Sequence, residues 1–143
     1  MLPPATAEIL GKLNDDELKK FGLLLKSPYF NSIEILPKMF EIIKSARPKL
    51  SSSSLSIENM FQKLYPGKEF KEQTIRNLYS ELGKLLKTFI TIEALKSDDV
   101  SFNLYYMAGL RQKKSFELSN KAAEKNREKI TAEFGTGCLK NFL

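Results

Sequence analysis

The chain has 143 residues, 42% hydrophobic and 28% charged, with 23 Lys and Arg against 17 Asp and Glu for a formal net charge of +6. That length suits one ordinary domain able to bury roughly 68–70% of the surface its unfolded form exposes, and its apolar runs are too short to span a bilayer. With no histidine and one cysteine, Cys138, a Ser-His-Asp or Cys-His arrangement, a Cys/His zinc site and an intramolecular disulfide are excluded within the chain.

Phosphate loops are also missing. No G-x-x-x-x-G-K-S/T or G-x-G-x-x-G pattern occurs, and "FGTGCL" lacks the strand-before, helix-after context that would make it one. The expectation is a non-enzymatic protein with no catalytic, cofactor-binding or metal-ligating residues, paired-carboxylate or lysine chemistry staying open only formally. The N-terminus "MLPPATAEIL" has no basic n-region and no uninterrupted apolar h-region. Together with the lone cysteine, this predicts a cytoplasmic location.

The first clear helix start is "NDDEL". Asn14 can cap, Glu17 stands three residues on to close a capping box, and Leu13 and Leu18 occupy staple positions. Leu18, Phe21, Leu24 and Leu25 then recur at helical spacing until Pro28, which disfavours helical geometry at Ser27. The same grammar repeats at Asn31 and Glu34, with Phe30 and Ile35 as the staple. The pentapeptide Ser27-Pro28-Tyr29-Phe30-Asn31 therefore predicts a packed structural corner in which Tyr29 and Phe30 hold two helices together; a recognition loop is the competing assignment. Pro37 requires the second helix either to kink or to begin its regular part later, and the element should stop near Lys44.

"ARPKLSSSSLS" reads as an exposed connection, Ser56 opens a short helix through Leu64, and "YPGKEF" closes it with a Pro-Gly turn. Ile75, Leu78, Leu82, Leu85, Phe89 and Ile92, separated by 3, 4, 3, 4 and 3, then give the cleanest helical stripe in the chain. "FITIEAL" at 89–95 is the exception, since Phe, Ile and Thr also favour a strand. A strand there would allow a winged-helix-like segment at 56–95 and a nucleic-acid-binding function. Against it, the exposed candidates Gln73, Arg76, Asn77 and Ser80 alternate with Glu72 and Glu81. Basic and acidic residues are interleaved elsewhere too, so the positive charge predicts a solvated helical surface more than a phosphate-binding face.

From Asp98 to Phe134 the sequence can be helical throughout. A single rod of about 37 residues would be roughly 55 Å long, against roughly 37 Å for a compact chain of this size. It must protrude or break, and the weak point is Gly109 to Ser115. Unbroken, it carries two stripes: Val100, Leu104, Ala108, Leu118 and Ala122 on one side, Tyr105, Phe116, Ala123, Ile130 and Phe134 on another. The second calls for a partner protein or self-association through 98–134, with Tyr105, Tyr106, Phe116 and Ile130 as the candidate interaction residues. Cys138 falls in the tail "GTGCLKNFL", read as either a frayed end or a flap over that stripe.

"LNDDELKKFGLLLKSPYFN" and "LYPGKEFKEQTIRNLYSELGKLLKTFITIEAL" together resemble the N-terminal region of a group of uncharacterised all-helical bacterial proteins, over about residues 13 to 96. The resemblance implies helical architecture leading into stacked helix pairs, and no known activity. On it, "NREKITAEF" would be an unpaired first repeat.

The sequence thus predicts an all-α protein, an irregular bundle of five or six helices that can lead into a helical-repeat hairpin: a compact helical domain over 1–97, a long helix or helical hairpin over 98–134, and a tail over 135–143. The expected function is protein-protein interaction or scaffolding without cofactor, metal or membrane, with nucleic-acid binding as the alternative.

Overall fold

The computed structural model describes residues 1–135, with side chains up to Glu133, and every regular element among them is helical. Seven α-helices occur there, against the five or six expected. They are α1 (Pro4–Lys12), α2 (Asp15–Leu25), α3 (Leu36–Ser45), α4 (Ile57–Leu64), α5 (Glu72–Lys96), α6 (Asp99–Gln112) and α7 (Phe116–Gly135), with a 3₁₀ turn at Ser53–Leu55. The helix not foreseen is α1. Its signal is Pro4 in the first turn, where the missing amide hydrogen costs nothing and the fixed φ favours the helix. The chain divides into two units, Met1–Ile90 and Thr91–Leu143, the division falling inside α5.

In the first unit the caps set the helix boundaries. Asn14 Oδ1 accepts from Glu17 N at 2.8 Å while Glu17 Oε1 accepts from Asn14 N at 3.1 Å, the reciprocal capping box foreseen for α2. Ser56 caps α4 by its side chain alone, Oγ accepting from Asn59 N at 3.2 Å. Gly67, at φ 76°, supplies the left-handed residue of the turn after α4.

The core lies between α2, α3, α4 and α5. Phe21 is fully buried, with Phe40 edge-on to it at a centroid distance of 5.0 Å and Phe89 tilted against it at 5.5 Å. Ile75, Leu78, Leu82 and Phe89 of the foreseen stripe are buried, but Leu85 and Ile92 are only half-buried. Tyr79 and Leu86 complete the buried face of α5. Tyr79 donates its hydroxyl hydrogen to the carbonyl of Leu55 at 2.8 Å, fastening the 3₁₀ turn to α5. Along α5, Gly83 faces α1 so closely that a Cβ there would lie 3.2 Å from Thr6 Oγ1.

Two expectations need correction. Tyr29 is 89% exposed and Phe30 38% exposed, so the aromatic pair does not plug the corner. The two rings pack on each other, edge-on at 5.0 Å. The corner is instead tied by Asn31, whose Nδ2 donates to Leu25 O at 2.8 Å and Ile33 O at 3.0 Å, and whose Oδ1 accepts from Ile33 N at 2.9 Å. Asn31 caps no helix: residues 31–33 are irregular, 34–35 form a turn and α3 begins at Leu36, with Pro37 in its first turn. Of the two alternatives that Pro37 left open, a kink or a later start, the chain takes the later start. The second correction concerns 89–95, which continue α5 as helix, so the strand of a winged-helix-like segment at 56–95 is not present.

Candidate interaction surface

The chain from Asp98 to Gly135 breaks where its sequence is weakest. Lys113 and Lys114 leave the helix, Lys114 takes φ 61°, and Ser115 turns the chain into α7, so that α6 and α7 form an antiparallel hairpin. Asp98 starts it. Its carboxylate accepts from Ser101 Oγ at 2.6 Å and from Ser101 N at 3.1 Å. These bonds, the hydroxyl's first, hold the Asp98 carboxyl below its usual range.

The hairpin closes through polar groups. Asn103 Nδ2 donates to Ala122 O at 2.6 Å and to Asn126 Oδ1 at 3.0 Å, Asn126 Nδ2 donates to Val100 O at 3.0 Å, and Ser119 Oγ donates to Met107 O at 3.3 Å. Lys129 Nζ lies 2.9 Å from Asp99 Oδ2 at the open end. The buried residues of the seam are Ser119, Ala122 and Asn126, spaced 3 and 4 apart, and no residue of α6 is fully buried. A two-helix unit with so little apolar seam leaves its large hydrophobic side chains on the outside.

Phe102, Tyr105, Tyr106 and Phe116 are each more than half exposed, Tyr105 at 71%. Leu104 and Leu118 are exposed as well, although the unbroken-rod stripe would have buried them beside Val100 and Ala122. The break at 113–115 changes the rotational phase between the two halves, which separates residues that one continuous wheel would align.

The four candidate interaction residues are not brought to one place. Tyr105 and Tyr106 sit together on α6, and Phe116 opens α7. Ile130 is half-buried and about 21 Å further along α7. It lines a different feature, a concavity of about 690 Å³ at the open end of the hairpin, with Asp98, Asp99, Ser101, Lys129 and Glu133. Phe134 and Cys138, the other candidates of this region, fall outside the described side chains. The residues missed by sequence reasoning are Asn103, Ser119 and Asn126. Their signal is a set of poor helix formers recurring at helical spacing, where an apolar stripe was sought.

No three His, Cys, Asp or Glu side chains among the described residues group so as to hold a metal, and no helix there is long and apolar enough to cross a membrane. Lys12 with Glu8, Lys20 with Asp16, Lys44 with Glu41, Arg76 with Glu72 and Lys84 with Glu81 pair along single exposed helix faces, as the interleaved charges anticipate. Comparison with protein-family models, curated proteins and solved structures gave no match.

Proposed function

We propose that this chain works by association with protein, without catalysis, and that the α6–α7 hairpin carries the contact. The observation behind this is the exposure of Phe102, Tyr105, Tyr106 and Phe116 on a hairpin whose own seam is made of Asn and Ser. Exposed aromatic side chains at helical spacing gain free energy chiefly when a second surface removes them from water. The first unit acts as the anchoring helical bundle and the hairpin as the first helix pair of a scaffold, which is also what the resemblance over 13–96 implies.

Light scattering and partner titration of the native chain, compared with the Tyr105→Glu, Phe116→Glu double variant, test the proposal. Both positions are exposed, so circular dichroism should be unchanged while association falls by at least tenfold. Association that survives the double change moves the function to another surface.

A further inference from the structure

We infer that the occupant of the α6 aromatic face is α6 of a second copy of this chain, crossing antiparallel about a two-fold axis between Tyr105 and Tyr106. The pairing rests on the association function proposed above and specifies its partner. Asp98, Phe102, Tyr105, Tyr106, Gly109 and Lys113 are separated by 4, 3, 1, 3 and 4 positions, so they fall within one arc of the helix and the spacing reads the same in both directions. All six are exposed.

The chemistry is complementary when the order is reversed. The two-fold axis sets Phe102 of one copy over Gly109 of the other, Tyr105 against Tyr106, and the Asp98 carboxylate against the Lys113 ammonium. Gly109 is otherwise unexplained. It lies inside α6, where glycine costs about 1 kcal/mol relative to alanine, yet a Cβ there would meet nothing within 4 Å in its own chain. A glycine with open space above it, about two turns from an exposed phenylalanine on the same face, is a socket for a large side chain coming from outside.

Charge selects the same orientation. The N-terminal end of α6 carries Asp98 and Asp99 and its C-terminal end Arg111, Lys113 and Lys114, so an antiparallel copy brings unlike ends together and a parallel copy brings like ends together. The Asp98 carboxylate, although it accepts two bonds from Ser101, retains lone pairs for Lys113 of the other copy. Aromatic side chains bury roughly 150–250 Å² each when fully covered, and Phe102, Tyr105 and Tyr106 are 53%, 71% and 51% exposed. The pairing therefore falls below the roughly 800 Å² per partner of standard interfaces, in the size class of weak, transient contacts.

The test uses the full chain with Cys138→Ser to remove the native thiol. The scattering mass should rise with concentration from 16.3 kDa towards twice that value. Gly109→Leu should hold the mass at the monomer value with helicity intact, since its side chain enters open space in the monomer and fills the socket in the dimer. An equimolar mixture of Phe102→Cys and Gly109→Cys chains should give a disulfide-linked dimer, whereas Leu118→Cys in place of Gly109→Cys should not. A dimer that persists in Gly109→Leu and forms no 102–109 crosslink overturns the α6 pairing while leaving association through the hairpin in place. A native chain that stays monomeric to the hundred-micromolar range also overturns the pairing. The assignment of association to the hairpin fails only when the Tyr105→Glu, Phe116→Glu variant binds as the native chain does, which moves the contact to another surface.

Discussion

Asn103 and Asn126 meet across the α6–α7 hairpin, Nδ2 to Oδ1 at 3.0 Å, and each also bonds a backbone carbonyl of the opposite helix. Both helices are thereby clamped by side-chain amides rather than by leucines. Asn126, only 4% exposed, is the more deeply placed of the two. Asn126→Ala would remove both its bonds and strand Val100 O, a loss of about 1–3 kcal/mol confined to the hairpin. Amide hydrogen exchange should show faster exchange in α6 and α7 with α2 to α4 unaffected; uniform acceleration across the chain would mean the seam is coupled to the core.

Tyr79 provides a pH-dependent contribution. Its ordinary pKa of 10.0 is pushed up to about 12 by burial, because the phenolate is poorly solvated between α5 and the 3₁₀ turn. The folded pKa is the higher one, so the full contribution is present below about pH 10 and is lost as pH rises towards 12. Tyr79→Phe should flatten the alkaline limb of the stability curve and, by leaving Leu55 O without its partner, cost about 1–3 kcal/mol at neutral pH. Tyrosinate absorbance followed against denaturation midpoint gives both quantities, and an unchanged alkaline limb would assign the pH dependence elsewhere.

At the first corner, Phe21→Ala should cost about 3–5 kcal/mol, because the ring is fully buried between Phe40 and Phe89. Phe30→Ala, losing a ring 38% exposed and packed on an exposed Tyr29, should cost less than Asn31→Ala, which frees Leu25 O and Ile33 N at once. Urea midpoints of the three variants rank them. Phe30→Ala coming out nearer to Phe21→Ala would restore the aromatic pair as the corner's anchor.

Gly83 sets how closely α1 lies on α5. Gly83→Val introduces a Cβ 3.2 Å from Thr6 Oγ1 and two methyls beyond it, and should destabilise by about 1–3 kcal/mol through overpacking. Adding Thr6→Ala removes the hydroxyl from the collision. The double variant should therefore lose less than the sum of the singles, the signature of direct contact in a double-mutant cycle. Strict additivity would place the strain somewhere other than the α1–α5 contact.

Local signals were legible wherever one residue fixes a boundary. Asn14 with Glu17, Ser56, the Pro-Gly turn and the weak link at 109–115 all appear in the structure as their chemistry requires. Periodicity carried the α5 face because Ile75, Leu82 and Phe89 alternate with charged residues. Tyr79 escaped it because a tyrosine counts as buried only once Leu55 O is known to accept its hydrogen. The corner was misread for a related reason: a hydrophobic staple and an Asn-anchored turn share the sequence "YFN", and only the packing separates them. On the hairpin, Tyr105 and Tyr106 stand out in the sequence by their aromatic character and are exposed in the structure, but the seam was hidden, since helical spacing of Ser119, Ala122 and Asn126 carries no hydrophobic signal.

The amide seam also sets how the hairpin responds to temperature. Apolar burial weakens on cooling and gives unfolding its large positive heat-capacity change, whereas exposing polar groups contributes with the opposite sign. Opening α6 from α7 uncovers Asn103, Ser119 and Asn126 with little hydrocarbon, so its free energy varies almost linearly with temperature. The aromatic-cored bundle of α2 to α5 follows the usual dome. Near freezing the hairpin keeps its grip while the bundle slackens, and on warming the hairpin is the part that loosens first.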